Sequence, residues 1–225
     1  LFASLSGGSY LSFDGADATM HSVLIPDDPF FCPNAFWDGT ATNYCRGVDG
    51  DDTVAHEWTH AYTEFTHNLI YQWQPGALNE AYSDIFGEVV DLINGVGLDT
   101  NHDGPRSTGG CSIFSDANPG DDSYRWLSGE DDVGFGGAIR DLWNPTCYGD
   151  AGKVSDELYW CSRFDGGGVH SNSGVPNHAF ALLVDGGEYN GQTITGIGVT
   201  KAAHLYWHTA TAYQTPATQF ADHAD

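Results

Sequence analysis

Cationic side chains are scarce in this chain: two lysines and five arginines face 31 acidic residues, for a formal net charge of −24 over 225 residues. Such a surface cannot neutralise phosphates, which argues against nucleic acid as a partner and against docking on anionic bilayers. No apolar run is long enough to span a membrane, so membrane insertion is not expected. None of the five cysteines forms a Cys-x-x-Cys pair, which argues against a cysteine-bound zinc. There is no internal repeat, and residues 96–136, acidic and glycine-rich, show no clear periodicity. No signal peptide precedes Leu1, which is not an initiator Met, so the chain reads as processed or excerpted. No pattern sets an oligomeric state.

What is present is more specific. The length suffices for one large domain or two small ones with a real core. Twenty-nine glycines point to many turns and long loops. The acidic balance reads as a solubilising surface, suited to high salt or to cation binding.

The decisive segment is His56-Glu57-Trp58-Thr59-His60. Histidines four apart lie one turn apart on one helix face, so both imidazoles can reach one metal ion. Asp51 and Asp52 suit a helix start, and Val54, Ala55, Trp58, Ala61, Tyr62 and Phe65 recur at helical spacing. A second helix is expected over 79–94, from Ala81, Tyr82, Ile85, Phe86, Val89, Val90 and Ile93, closed by Asn94-Gly95. Glu80 and Asp84 share one of its faces. A short link through Gln74-Pro75-Gly76 would let the two helices pack antiparallel. Glu80 would then complete a three-ligand zinc site with an open fourth position. Asp84 would orient a ligand imidazole, and Glu57 would take a proton from water.

The His56–His60 motif, nineteen intervening residues and Glu80 within Asn79-Glu80-Ala81-Tyr82-Ser83-Asp84-Ile85-Phe86-Gly87 resemble the thermolysin family of zinc endopeptidases. Three further segments resemble the same family in the same order: Asn34-Ala35-Phe36-Trp37, Leu69-Ile70-Tyr71, and the run from Asp165 through His170 to Gly174. The resemblance implies a secreted enzyme that takes peptide or protein substrates and holds one catalytic Zn²⁺. His56, His60 and Glu80 would be its ligands and Glu57 the general base. Tyr71 and His170 would donate to the oxyanion, with Asp165 orienting His170. Asn34 and Ala35 would hold the substrate as an added strand, and Arg140 would bind a substrate carbonyl. The family prefers a bulky apolar residue just after the cut. Ile139 fits such a pocket, whereas Thr53 replaces an aliphatic residue.

The resemblance also implies structural Ca²⁺. Asp52, Asp91 and Glu130 fall where the family places calcium carboxylates, with Asp91 in place of a glutamate and Arg125 and Leu127 departing from the pattern. Asp99-Thr100-Asn101-His102-Asp103-Gly104 reads either as the start of a calcium loop or as an Asx-rich turn, since position 110 is Gly110 rather than a closing Glu. Aligned with the family, the chain lacks much of the N-terminal β-rich lobe and stops before the last helices. Disulfides are expected as the local bridges Cys32–Cys45 and Cys147–Cys161, with Cys111 left over. His204 and His208 are also four apart, but no Glu follows His204. They, like His178, read as packing or surface histidines.

The expected fold is α+β. A β-rich lobe (1–50) has short strands near 10–13, 22–25 and 35–37. A mainly helical lobe (51–225) has helices near 52–66, 79–94, 175–184 and 200–213, and zinc lies in the cleft between the lobes. Two rival readings are a catalytically silent zinc-fold scaffold, which would need none of Glu57, Tyr71 and His170, and a zinc exopeptidase, for which no amine-binding motif is present.

Overall fold

Two long helices form the centre of the chain, and their sequences explain where they begin and cross. In the computed structural model, which describes residues 1–97, 104–106, 110–112 and 123–225, helix α2 spans Asp51–Glu64 and helix α3 spans Trp73–Asn94. The start of α2 carries Asp51 and Asp52 in its first turn, where carboxylates favour the exposed N–H groups. Asp132 reinforces it from afar, accepting the Gly50 amide at 2.6 Å and the Thr53 hydroxyl at 2.5 Å. The predicted link 74–76 is instead the first turn of α3, and the true connection is residues 65–72. Pro75 is tolerated there because a first-turn N–H has no helical partner. Gly95, with φ 65°, closes the helix in the left-handed conformation.

The crossing of α2 over α3 depends on Gly87, where a Cβ would lie 2.8 Å from the Asp52 carbonyl oxygen. Around this pair Trp58, Tyr62, Tyr82 and Phe86 pack with Phe2, Phe180, Tyr206 and Trp207. Phe2 stacks on Tyr62 with ring centroids 3.9 Å apart. Each such side chain contributes about 1.5–3 kcal/mol of burial free energy, so the helix pair is held by its aromatic face rather than by propensity. Phe2 comes from α1 (Phe2–Leu5), and Tyr206 and Trp207 from α6 (Val199–Ala212).

Strands β1 (Ser22–Leu24), β2 (Ala35–Trp37) and β3 (Thr42–Tyr44) form one sheet in the order β1-β3-β2. β1 runs parallel and β2 antiparallel to β3, with Ala35 opposite Tyr44, leaving β2 on an edge. The strand expected near 10–13 is a turn instead. The Asp14 carboxylate accepts the amides of Ala16 and Ala18, which curls the backbone away from any ladder. Two-stranded pairs join β4 (Leu127–Ser128) to β5 (Arg140–Asp141), and β6 (Gly187–Tyr189) to β7 (Gln192–Ile194). Among the described residues the remaining α-helices are α4 (Asp165–Asn172), α5 (Gly174–Asp185) and α7 (Phe220–Ala224), with a short 3-10 helix at Pro145–Tyr148. The architecture is α+β and mainly helical. Among the described residues no helix is long and apolar enough to cross a membrane.

Cys32 and Cys45 are bridged, which ties the approach to β2 to the end of β3. The second bridge is Cys111–Cys147, not the expected Cys147–Cys161, and Cys161 is free and exposed. The cause is the buried ion pair of Arg106 with Asp141 at 3.2 Å. It draws the segment around residue 111 beside the strand that precedes Cys147, while the backbone beside Cys161 is fastened to Asn172. Asp99 to Asp103 of the candidate calcium loop lie outside the described residues.

Candidate metal centre

Helix α2 presents His56 and His60 on one face, and α3 brings Glu80 against them. The two Nε2 atoms are 3.0 Å apart, and Glu80 approaches each imidazole at 3.5 Å. The outer nitrogens are both engaged. His60 Nδ1 lies 2.8 Å from Asn79 Oδ1, and His56 Nδ1 lies 2.9 Å from Asp84 Oδ1. Both neighbours are acceptors, so in the neutral imidazoles, the form that binds a metal, each Nδ1 carries the proton and each Nε2 lone pair faces inward. Two lone pairs and a carboxylate converging on one point repel unless a positive charge sits among them. Tetrahedral zinc with bonds of 2.0–2.1 Å spaces its ligands about 3.3 Å apart, close to the separations here. The residues therefore fit a zinc ion.

The electrostatics agree. Burial would lower His56, but Asp84, then Glu57 and Glu80, raise it to about 9 in the metal-free chain. Burial would raise Glu80, but His170, His60 and His56 pull it down to about 2. The pocket is built to hold positive charge against carboxylates, as protons or as a cation.

Asp84 is a hub. It receives Arg140 Nε at 2.9 Å and Nη2 at 2.6 Å, and Asn177 Nδ2 at 2.8 Å, while contacting His56. Arg140 stands on β5 and is thus committed to Asp84 by two bonds. Neither Arg140 nor Ile139 lines the main cleft, a cavity of about 710 Å³ whose walls include Asn34, Ala35, Trp37, Glu57, Tyr71 and His170. Glu57 is buried beside the histidines, with Oε2 unpartnered. Tyr71 donates a short hydrogen bond to Glu80 and lies 3.3 Å from His170 Nε2. Burial, then the Glu80 charge, push the Tyr71 phenol well above its ordinary range, so it keeps its proton and remains a donor. His170 follows a left-handed turn of Asp165 (φ 53°), Gly166 (59°), Gly167 (100°) and Gly168 (78°), a conformation that glycine adopts at little cost. Asp165 accepts both the His170 amide (3.0 Å) and Nδ1 (2.7 Å).

A second cluster lies behind the first. Ligand atoms of Asp52, Glu88 and Glu130 fall within 4.8 Å of one another. All three residues are buried, and both Glu88 oxygens and Glu130 Oε2 are unpartnered. Burial, and then mutual repulsion, raise Glu88 and Glu130 well above the carboxylate range. For Asp52, burial outweighs the Gly129 amide and takes it to about 6. Asp91 is buried one turn along α3 from Glu88, outside this set.

Sequence reasoning missed Asn79, Asn177 and Glu88. Glu88 carried a signal, a carboxylate inside the apolar run 85–90. Asn79 had only its adjacency to Glu80, and Asn177 had none, being brought from α5. His204 and His208 are exposed on α6, and His178 is buried against Tyr189.

Residues 67–225 match the family profile described as thermolysin metallopeptidase, alpha-helical domain. The chain is 41% identical over 184 residues to a zinc metalloproteinase of Renibacterium salmoninarum, covering 78% of this chain and 29% of that protein. It is 38% identical over 220 residues to bacillolysin of Brevibacillus brevis and 34% over 221 to thermolysin of Alicyclobacillus acidocaldarius, each covering 93% of this chain and 35% of the relative. The chain thus spans about a third of the length of the curated relatives it matches. The structure of the protealysin precursor, a metalloproteinase from Serratia proteamaculans, shares the fold with a TM-score of 0.68 at 24% identity, over 99% of this chain and 65% of that one.

Proposed function

The chain belongs to the thermolysin metallopeptidase family, and from that premise we propose that it is the zinc-binding part of a secreted endopeptidase that cleaves internal peptide bonds on the amino side of bulky apolar residues. The observation that carries this reading is the convergence of His56, His60 and Glu80 beside Glu57, whose Oε2 is unpartnered, with Tyr71 and His170 lining the same cleft. When bound, zinc acts as a Lewis acid that acidifies a water and polarises a carbonyl. Glu57 accepts the proton from the attacking water and returns it to the leaving amine. Tyr71 Oη and His170 Nε2 donate to the developing oxyanion. The exposed edge of β2 at Asn34 and Ala35 binds the substrate as an added strand. The lobes divide near residue 50, with the cleft between them. The Thr53 hydroxyl is already satisfied by Asp132, consistent with a preference for apolar side chains. Two disulfides support an oxidising, extracellular destination.

Mapping the products of an internally quenched peptide with one central apolar residue tests the reading. New ends on the amino side of that residue are expected. Single residues released from the N-terminus would make the protein an exopeptidase.

Asp52, Glu88 and Glu130 would hold a structural calcium ion, with Asp91 adding charge nearby. The carboxyl values set the sign of a pH effect. Without a cation, the folded chain keeps protons that the unfolded chain has lost. Stability is then fullest below about pH 4, the ordinary carboxylate range, and falls as pH rises through about 6. Calcium takes the ionised form. A hundredfold excess over its Kd adds about 2.7 kcal/mol, a rise of about 5–10 °C in melting temperature. Differential scanning calorimetry at pH 4 and pH 7 should show that rise at pH 7 and little at pH 4. An equal rise at both would argue against these carboxylates as the site.

A further inference from the structure

Asn172 is two residues past His170, buried and not part of the cleft wall, yet its amide is fully used. Oδ1 accepts the Trp160 amide at 2.8 Å, while Nδ2 donates to the Trp160 carbonyl at 3.0 Å and to the Gly167 carbonyl at 3.3 Å. The side chain therefore pairs with Trp160 as a neighbouring strand would, and with its third bond grips the left-handed turn. Trp160 then covers that turn. A Cβ on Gly168 would lie 2.5 Å from the Trp160 Cβ and 2.7 Å from its Cδ1, so the glycine backbone sits directly under the indole. From the other side Val169, fully buried, closes on α3, where a Cβ at Gly76 would lie 2.5 Å from Val169 Cγ1.

The turn needs such a fastening. Four successive residues with positive φ make no continuing helical ladder, and the described amides of Gly167 and Gly168 both return to the Phe164 carbonyl. Asp165, which takes two bonds from His170, opens the turn, and His170 follows its last glycine by two residues. A shift of the turn displaces the Asp165–His170 pair from Tyr71.

We propose that Asn172 and Trp160 form a clamp that positions His170 for oxyanion stabilisation, with Asn172 as a positioning residue acting through the Asp165–Gly168 turn. The inference rests on the peptidase reading above. A misplacement of about 1 Å in a catalytic group lowers rate by about a hundredfold.

The test is a double-mutant cycle in the full, zinc-loaded chain. Asn172→Asp keeps the acceptor and removes both donors. It should lower kcat about 10- to 100-fold, with KM and zinc affinity within about twofold. In a His170→Ala background the same change should have almost no further effect, because the group it positions is gone. Trp160 is half-exposed, so Trp160→Ala offers a second route if Asn172→Asp does not fold, and Trp160→Phe should restore most of the rate. An equal loss in both backgrounds, or an unchanged kcat in Asn172→Asp and Trp160→Ala, overturns the clamp. Lack of peptide cleavage by the unaltered, zinc-loaded chain would instead overturn the peptidase reading itself.

Discussion

Exchange of Glu57 for Gln is expected to lower kcat/KM for peptide hydrolysis by about 10²–10⁴-fold while zinc stays bound. Glu57 neighbours the ligand His56 on α2 but is not among the ligand atoms that converge. Its Oε2 is buried without a hydrogen-bond partner, which leaves an oxygen free to take a proton. Gln keeps the shape and removes the ability to take a proton. The expected loss corresponds to about 3–5 kcal/mol of transition-state stabilisation. Steady-state kinetics with zinc content measured on the same sample checks it. Retention of kcat/KM within tenfold of the parent would remove Glu57 from the role of base.

Asp84→Asn is expected to weaken both the metal centre and the fold. Burial would raise this carboxyl, but Arg140 and then His56 hold it well below the usual range. Its side chain is fully buried, so the Asn variant leaves the Arg140 guanidinium without its anion and the His56 imidazole with a neutral carbonyl in place of a charged acceptor. Breaking a buried pair from one side costs about 3–5 kcal/mol, a drop of about 6–20 °C in melting temperature for a chain of this size. Loss of the group that orients a ligand lowers metal affinity about 10- to 100-fold. Competition with a zinc chelator measures the second effect separately from thermal melting. An unchanged zinc affinity would mean that Asp84 serves Arg140 alone.

Much of the helical framework was legible because it is written in local periodicity. The apolar stripe around His56 and His60 marks α2 to within two residues at each end. The α3 stripe was read correctly from Asn79 onward but not over its first six residues. There Pro75 and Gly76 look like a break, and the glycine is explained by its close approach to the Tyr71 backbone and to Val169, 93 positions away. The disulfide error has the same origin. Cys147 and Cys161 are close in sequence, while Cys111 is brought to Cys147 by the Arg106–Asp141 pair. The zinc-facing residues repeat at spacings that a helix imposes, so the sequence could nominate them. The residues behind them could not be nominated in that way. Asn177 reaches Asp84 from α5, and Asn172 reaches Gly167 and Trp160 through a turn whose handedness no periodicity reports.

Titration of the metal-free chain with zinc, followed by cleavage of a quenched peptide with a central apolar residue, joins the geometry to the chemistry. Hydrolysis should be absent at the start, rise linearly and stop rising at one equivalent, and a His60→Ala variant should show no such break. Cleavage without zinc, or one bound equivalent with no new peptide ends, would contradict the assignment of His56, His60 and Glu80 as a catalytic zinc site.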